Sequence, residues 1–227
     1  MEETPYQFDN DTWAQLPEFF ENLPEPIRLH IWADGSASPA EGEAIRLAQM
    51  LDERFGKIDH RVLPRRVNYA YYPVIGVFRL EDDVAVDHGV RIIGLPAGYQ
   101  LTSLIAAIQC LAFRASTSEA KTRIHLSRLS SNVDIEILTS QEDADGPAVA
   151  QAAFNMAVFS PKVRSFLIMA DNFPDAVIRY SVRHLPHTVI NGRTHIEGAI
   201  DEESLIQHIA ATIRDQKDST DQDRDNS

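Results

Sequence analysis

Thiols are almost absent. The 227-residue chain holds one cysteine, Cys110, which excludes an intramolecular disulfide and any zinc site built on cysteine pairs. Positive charge is scarce too: 21 Lys and Arg stand against 34 Asp and Glu, a formal net charge of -13. Nucleic acid and anionic membrane surfaces both demand clustered cations, so neither is an expected partner. No apolar run approaches the roughly 18 residues of a membrane span. The start, Met1-Glu-Glu-Thr-Pro-Tyr6, lacks the basic and apolar regions of a secretory signal. Together these shortages point to a cytoplasmic protein.

What is present is ordinary for a soluble globular chain, 44% hydrophobic and 24% charged. The length suits two domains of about 100 residues. One stretch organises the rest: Val182-Arg-His-Leu-Pro-His-Thr-Val-Ile-Asn-Gly192. An extended run ends in Leu185-Pro186, a strand follows over 188–190, and Asn191-Gly192 is a hairpin signal. Arg193–Gly198 is the returning strand, and Asp201-Glu-Glu-Ser opens a helix with acids in its first turn. The layout occurs earlier as well. Tyr72-Pro73 leads into a strand to Phe78, Val90–Gly94 is a second strand, and Gly98–Ile105 opens a helix. The chain therefore reads as two copies of one unit.

Taken in order, Trp13, Leu16, Phe19, Phe20 and Leu23 predict an amphipathic helix over 9–23, capped by Asp9 or Asn10, with Pro17 marking a kink or a late start. The first copy continues with a strand at Ile27–Ala33, the turn-rich Asp34–Pro39, a helix over 40–55 and a strand at 58–63. An aromatic crossing segment (64–72) stands where a middle helix is expected. A strand from Pro73, a strand over Gly89–Gly94 and a helix over 101–114 complete it. The second copy predicts helices over 118–129, 147–159 and 173–180, strands over 133–138 and 163–170, then the hairpin and a closing helix from Glu202 to about Gln216. Boundaries fall at 1–115, 116–216 and 217–227, the last an acidic tail without an apolar residue, expected to be disordered. Two open α/β sheets packed together are expected.

The stretches 182–192, Glu197-Gly-Ala199 and Val90–Tyr99 carry a resemblance. The chain resembles the glutaredoxin-like protein disulfide oxidoreductases, whose members join two thioredoxin-fold units, as does the N-terminal region of the flavoprotein component of alkyl hydroperoxide reductase. That resemblance implies an α/β fold of two tandem thioredoxin-like domains, β-α-β-α-β-β-α each, with a leading N-terminal helix. It implies that Pro73 and Pro186 are cis and lie beside surfaces that pair with extended peptide. It also implies a Cys-x-x-Cys motif between the first strand and helix of each unit. Here those slots read Gly35-Ser-Ala-Ser38-Pro39 and Asp143-Ala-Asp-Gly146-Pro147. Disulfide exchange needs an attacking thiolate, which Gly35, Ser38, Asp143 and Gly146 cannot supply.

Each candidate also has a plain alternative. Ser38 and Asp143 suit helix capping, with no base placed to activate Ser38. Cys110, beside the apolar stripe of its helix, is either a small buried hydrophobe or a lone redox thiol. His184, His187 and His195 fit structural histidines better than a metal site. Tyr69, Tyr71, Tyr72 and Phe78 read as core and interdomain packing. The reading that results is a redox-inactive double thioredoxin-fold protein, a degenerate relative of an enzyme family, acting as a peptide- or protein-binding, scaffold or chaperone-like module. It calls for no cofactor and no metal, and leaves a homodimer open. The alternatives are a glutathione-linked redox protein using Cys110, or a partner chain that donates the missing cysteines.

Overall fold

A computed structural model describes residues 10–116 and 118–225. The elements are α1 (Asn10–Phe20), β1 (Ile27–Trp32), α2 (Pro39–Arg54), β2 (Ile58–Leu63), β3 (Val74–Glu81), β4 (Val84–Ile93) and α3 (Gln100–Ala112), then α4 (Ala120–Ser127), β5 (Val133–Thr139), α5 (Gly146–Phe159), β6 (Val163–Met169), α6 (Pro174–Arg179), β7 (His187–Ile190), β8 (Thr194–Glu197) and α7 (Glu202–Asp225). The repeat is real at this level. Each unit runs strand, helix, parallel strand, then an antiparallel pair and a helix. Only the second unit has a helix, α6, before its antiparallel pair.

The expectation of two sheets is corrected. All eight strands form one sheet in the order β2-β1-β3-β4-β6-β5-β7-β8. The join is β4 with β6, parallel from Val90 opposite Ser165 to Ile93 opposite Ile168. An open strand edge leaves a row of backbone N–H and C=O groups without partners. Pairing the two inner edges satisfies both rows at once. Across the same join α3 packs on α5. Both helices are buried around most of their circumference, as helices between two units must be.

The sheet separates two apolar clusters. The larger lies under the helices and includes Ile31, Leu47, Leu104, Ile108, Phe154 and Leu205. The smaller, on the opposite face, contains Trp32, Phe78, Ile93, Leu138, Ile168 and Val189. In the first unit this second face is covered by the crossing segment, whose Tyr69, Tyr71 and Tyr72 pack on the cluster, and in the second by α6. Gly76 in β3 gives the Trp32 ring its place. A Cβ there would meet Trp32 Cζ3 at 2.6 Å and Phe78 Cε2 at 2.7 Å.

Other boundaries also moved. β3 and β4 are longer than expected, joined by the two-residue turn Asp82-Asp83 with φ of 48° and 64°. The left-handed conformation is usually signalled by glycine, and two aspartates hid the hairpin. α1 carries Pro17 inside it. The Asp9 cap lies outside the described residues. α7 runs past Gln216, its expected end, to Asp225, because no Gly or Pro stops the hydrogen-bond ladder there.

Candidate functional site

The first slot is a structural cap. Ser38 is the N-cap of α2 and accepts from Glu41 N, with Pro39 in the first turn. Its hydroxyl donates to Glu41 Oε1 at 3.0 Å, and Asp34 N donates to Glu41 Oε2 at 2.7 Å. The motif Ser38-x-x-Glu41 is thus a capping box whose carboxylate reaches further back into the loop than usual. Arg65 of the crossing segment completes the network by donating to both Glu41 oxygens. Glu41 is 1% exposed. Burial opposes its ionisation. The Arg65 guanidinium, the Asp34 N–H and the Ser38 hydroxyl outweigh that and hold the carboxyl below its ordinary 4.5. Gly35, the other half of the slot, is exposed.

The second slot is closed. Asp143 Oδ1 accepts from the backbone N–H of Asp145 and Gly146 at the start of α5, and Oδ2 accepts from Thr139 Oγ1 at 2.8 Å. Gln100, fully buried at the start of α3, donates from Nε2 to the carbonyls of Ser140 and Asp143, both at 2.9 Å. Tyr99 N donates to Gln141 O at 3.0 Å. The first unit therefore inserts a side chain into the loop that should carry the second unit's thiols. Gly146 has no room for one: a Cβ would lie 2.3 Å from Thr139 Oγ1 and 2.9 Å from Gln100 Nε2.

Both Tyr72-Pro73 and Leu185-Pro186 are cis. The first lies beside a cleft of about 850 Å³. Ser38, Glu41, Arg65, Tyr71 and Tyr72 line it from the first unit, and Gln141 with Asp171–Phe173 from the second. The structure thus brings Ser38 and the residue before Pro73 to one cleft, bordered by the loop that holds Asp143. The floor stays aromatic through Tyr71 stacked on Phe173, ring centroids 4.8 Å apart.

Cys110 is elsewhere, on α3, 5% exposed. Its Sγ lies 4.0 Å from Gln151 O, and burial pushes the thiol up to about 12. The plain reading of Cys110, a small buried hydrophobe, fits this environment. Of the histidines, His187 and His195 meet, Nε2 to Nδ1 at 2.9 Å across the β7–β8 hairpin, whereas His184 is exposed. Burial, with the His195 ring beside it, keeps His187 below its ordinary value. No group of three or more His, Cys, Asp or Glu able to hold a metal occurs among the described residues. No helix among them is long and apolar enough to cross a membrane.

Three residues that organise the slots escaped the sequence reading. Glu41 was legible as the fourth residue of Ser38-Pro-Ala-Glu. Arg65 and Gln100 were not, because each acts across a distance in sequence that no local pattern reports.

No protein-family model matches the chain. Among curated proteins it is 25% identical over 217 residues to an alkyl hydroperoxide reductase component of Pseudomonas aeruginosa, covering 95% of this chain and 40% of that protein. It is 23% identical over 198 residues to an NADH dehydrogenase of Ferdinandcohnia aciditolerans, covering 87% and 36%. The chain thus spans about two fifths of these relatives' length. Among solved structures, the N-terminal domain of the Enterococcus faecalis alkylhydroperoxide reductase superposes with a TM-score of 0.81 at 18% identity, covering 89% of this chain and all of that one. A protein disulfide oxidoreductase from Aeropyrum pernix superposes at 0.79 and 21% identity, covering 92% and 96%. The fold is therefore the tandem thioredoxin-like fold, and the similarity to disulfide oxidoreductases and alkyl hydroperoxide reductase seen in the sequence extends to nearly the whole chain.

Proposed function

We propose that this chain is a redox-inactive double thioredoxin-fold module that binds an extended peptide or protein segment in the cleft beside Ser38, Tyr72 and Pro73. The observation that carries this reading is a cleft kept open beside a cis-proline while one slot position, Ser38, is spent on capping and the other, Gly35, has no side chain. Glycine, hydroxyl and carboxylate cannot exchange disulfides, but an aromatic floor, the Arg65 side chain and exposed loop backbone can hold a peptide. The chemistry that the relatives' names describe does not pass to this chain through Gly35, Ser38, Asp143 or Gly146. The redox alternative rests on Cys110, whose burial and raised pKa argue against a reactive thiolate at neutral pH.

The test has two arms. Turnover of a fluorescent glutathione mixed disulfide is measured for the protein, for Cys110→Ser and for an active glutaredoxin. The expected result is turnover by the glutaredoxin only, and turnover lost on Cys110→Ser refutes the reading. In the second arm, peptides selected from a displayed random library are footprinted. Selected peptides should protect Tyr72 and Tyr71, and binders that protect only other surfaces remove the cleft from the proposal.

A further inference from the structure

A second cleft, of about 520 Å³, opens on the face of the sheet away from α3 and α5. Its floor is the β4–β6 join, one wall is the crossing segment, and the other is α6. Four arginines line it, Arg66, Arg91, Arg164 and Arg179, against the three carboxylates Asp87, Asp134 and Glu136. Such a gathering of cations is unexpected in a chain of net charge -13.

The four arginines are not equivalent. Arg91 is buried and fully engaged. Its guanidinium grips both Asp87 oxygens, and Nε donates to Tyr69 OH at 3.0 Å. Arg164 takes both oxygens of Asp134, at 2.7 and 2.5 Å. Glu136 accepts from Tyr180 OH at 2.5 Å. Asp87 and Asp134 are thus each paired with an arginine, and Glu136 is turned to the Tyr180 hydroxyl. Arg66, on the crossing segment, instead lies over the Trp32 ring, 4.9 Å from its centroid. Arg179, on α6, lies over the Tyr180 ring at 5.5 Å. Neither has a carboxylate partner among the described residues. Each wall therefore offers an exposed guanidinium held by an aromatic face, and the walls are further lined by Tyr69 and Tyr71.

We propose that this cleft binds a small planar organic anion, its carboxylate or phosphate held by Arg66 and Arg179 and its ring lying among the tyrosines. Guanidinium groups hold such oxyanions through paired, charge-assisted N–H donors, and they keep their charge at any working pH. The volume is that of a small-molecule site. The tyrosine rings supply the apolar contact that distinguishes an aromatic anion from an inorganic one. The site borders the cleft beside Pro73 and shares Tyr71 with it, but none of its slot residues, and Arg66 and Arg179 line this cleft alone.

Phenyl phosphate is the probe, and Trp32, under Arg66, is the reporter. Trp13→Phe leaves Trp32 as the single indole of the chain. Titration at fixed ionic strength should give a saturable change in Trp32 emission with a Kd of about 1 mM or tighter. Inorganic phosphate should bind about tenfold more weakly, for want of the ring contact, and phenol should not saturate. Arg66→Ala with Arg179→Ala should weaken phenyl phosphate at least about tenfold, and Arg123→Ala on exposed α4 should not. The arginines in question are exposed, and a thermal melt confirms that the double variant folds. Absence of saturation, or equal affinity in the double variant, overturns the assignment. Tighter binding of a hexaglutamate peptide than of phenyl phosphate, lost in the double variant, overturns it in favour of an acidic protein segment.

Discussion

Returning cysteine pairs to the two slots should give opposite results. In the second slot, Asp143→Cys removes the acceptor of three hydrogen bonds and leaves the fully buried Thr139 hydroxyl without one, at about 1–3 kcal/mol. Gly146→Cys places a Cβ 2.3 Å from Thr139 Oγ1, and overpacking of that kind costs a further 1–3 kcal/mol or so. The pair together loses about 2–6 kcal/mol of the roughly 5–15 that hold a protein folded. In the first slot, a Cβ on Gly35 meets only Ile45 Cδ1 at 3.2 Å, the end of a side chain that can turn away. Ser38→Cys loses a cap worth about 1 kcal/mol. At about 2–4 °C per kcal/mol for a chain of this size, Gly35→Cys/Ser38→Cys should melt a few degrees low, and Asp143→Cys/Gly146→Cys about 5–20 °C low. The assay is a thermal melt with thiol quantification before and after reduction. The first-slot variant should also form a reducible disulfide. A second-slot variant that melts with the parent and oxidises cleanly would refute the view that Gln100 and Thr139 have closed that slot.

Other consequences follow from particular residues. Glu41→Ala should cost about 2 kcal/mol at neutral pH, because the Asp34 N–H, the Ser38 hydroxyl and the Arg65 guanidinium lose their shared acceptor together, while the Ser38 cap on the backbone N–H of residue 41 remains. Since the folded-state pKa of Glu41 lies below 4.5, its stabilisation is present above that value and disappears as pH falls through the folded pKa. The parent's acid-side loss of stability should therefore flatten in Glu41→Ala, as chemical denaturation at stepped pH would reveal. Cys110 has the opposite sign: its folded pKa is raised from 9.0 to about 12, so the unfolded chain releases the proton first and stability falls between those values. Cys110→Ala should remove that alkaline decline, and the native thiol should alkylate slowly until the protein is denatured. Gly98→Ala tests the unit junction. Gly98 has φ +57°, and a Cβ there would lie 2.3 Å from Gln141 O, so a loss of about 2–4 kcal/mol is expected in urea unfolding.

The sequence alone determined the unit and its repetition. The helices have a 3.6-residue apolar period, strands such as 133–138 alternate, and Asn191-Gly192 marks a turn, all of them local signals set by a residue's near neighbours. The absence of thiols at 35, 38, 143 and 146 was equally legible, because chemistry that requires sulfur is decided by residue type. Tertiary structure decided the rest. No pattern within β4 or β6 announces that each will pair with the other rather than remain an edge. Gln100 gives no sign in its own helix that its amide will satisfy carbonyls some 40 residues later. Asp143 looks like a cap from sequence, but only its contacts with Thr139 and Gly146 reveal that the slot has lost its space as well as its sulfur. The four arginines at the β4–β6 join come from the crossing segment, two strands and α6, and become one cleft only when the two units share a sheet. Local propensity is written within a turn or two of each residue, whereas edges, junctions and clefts are made by residues the chain brings together only on folding.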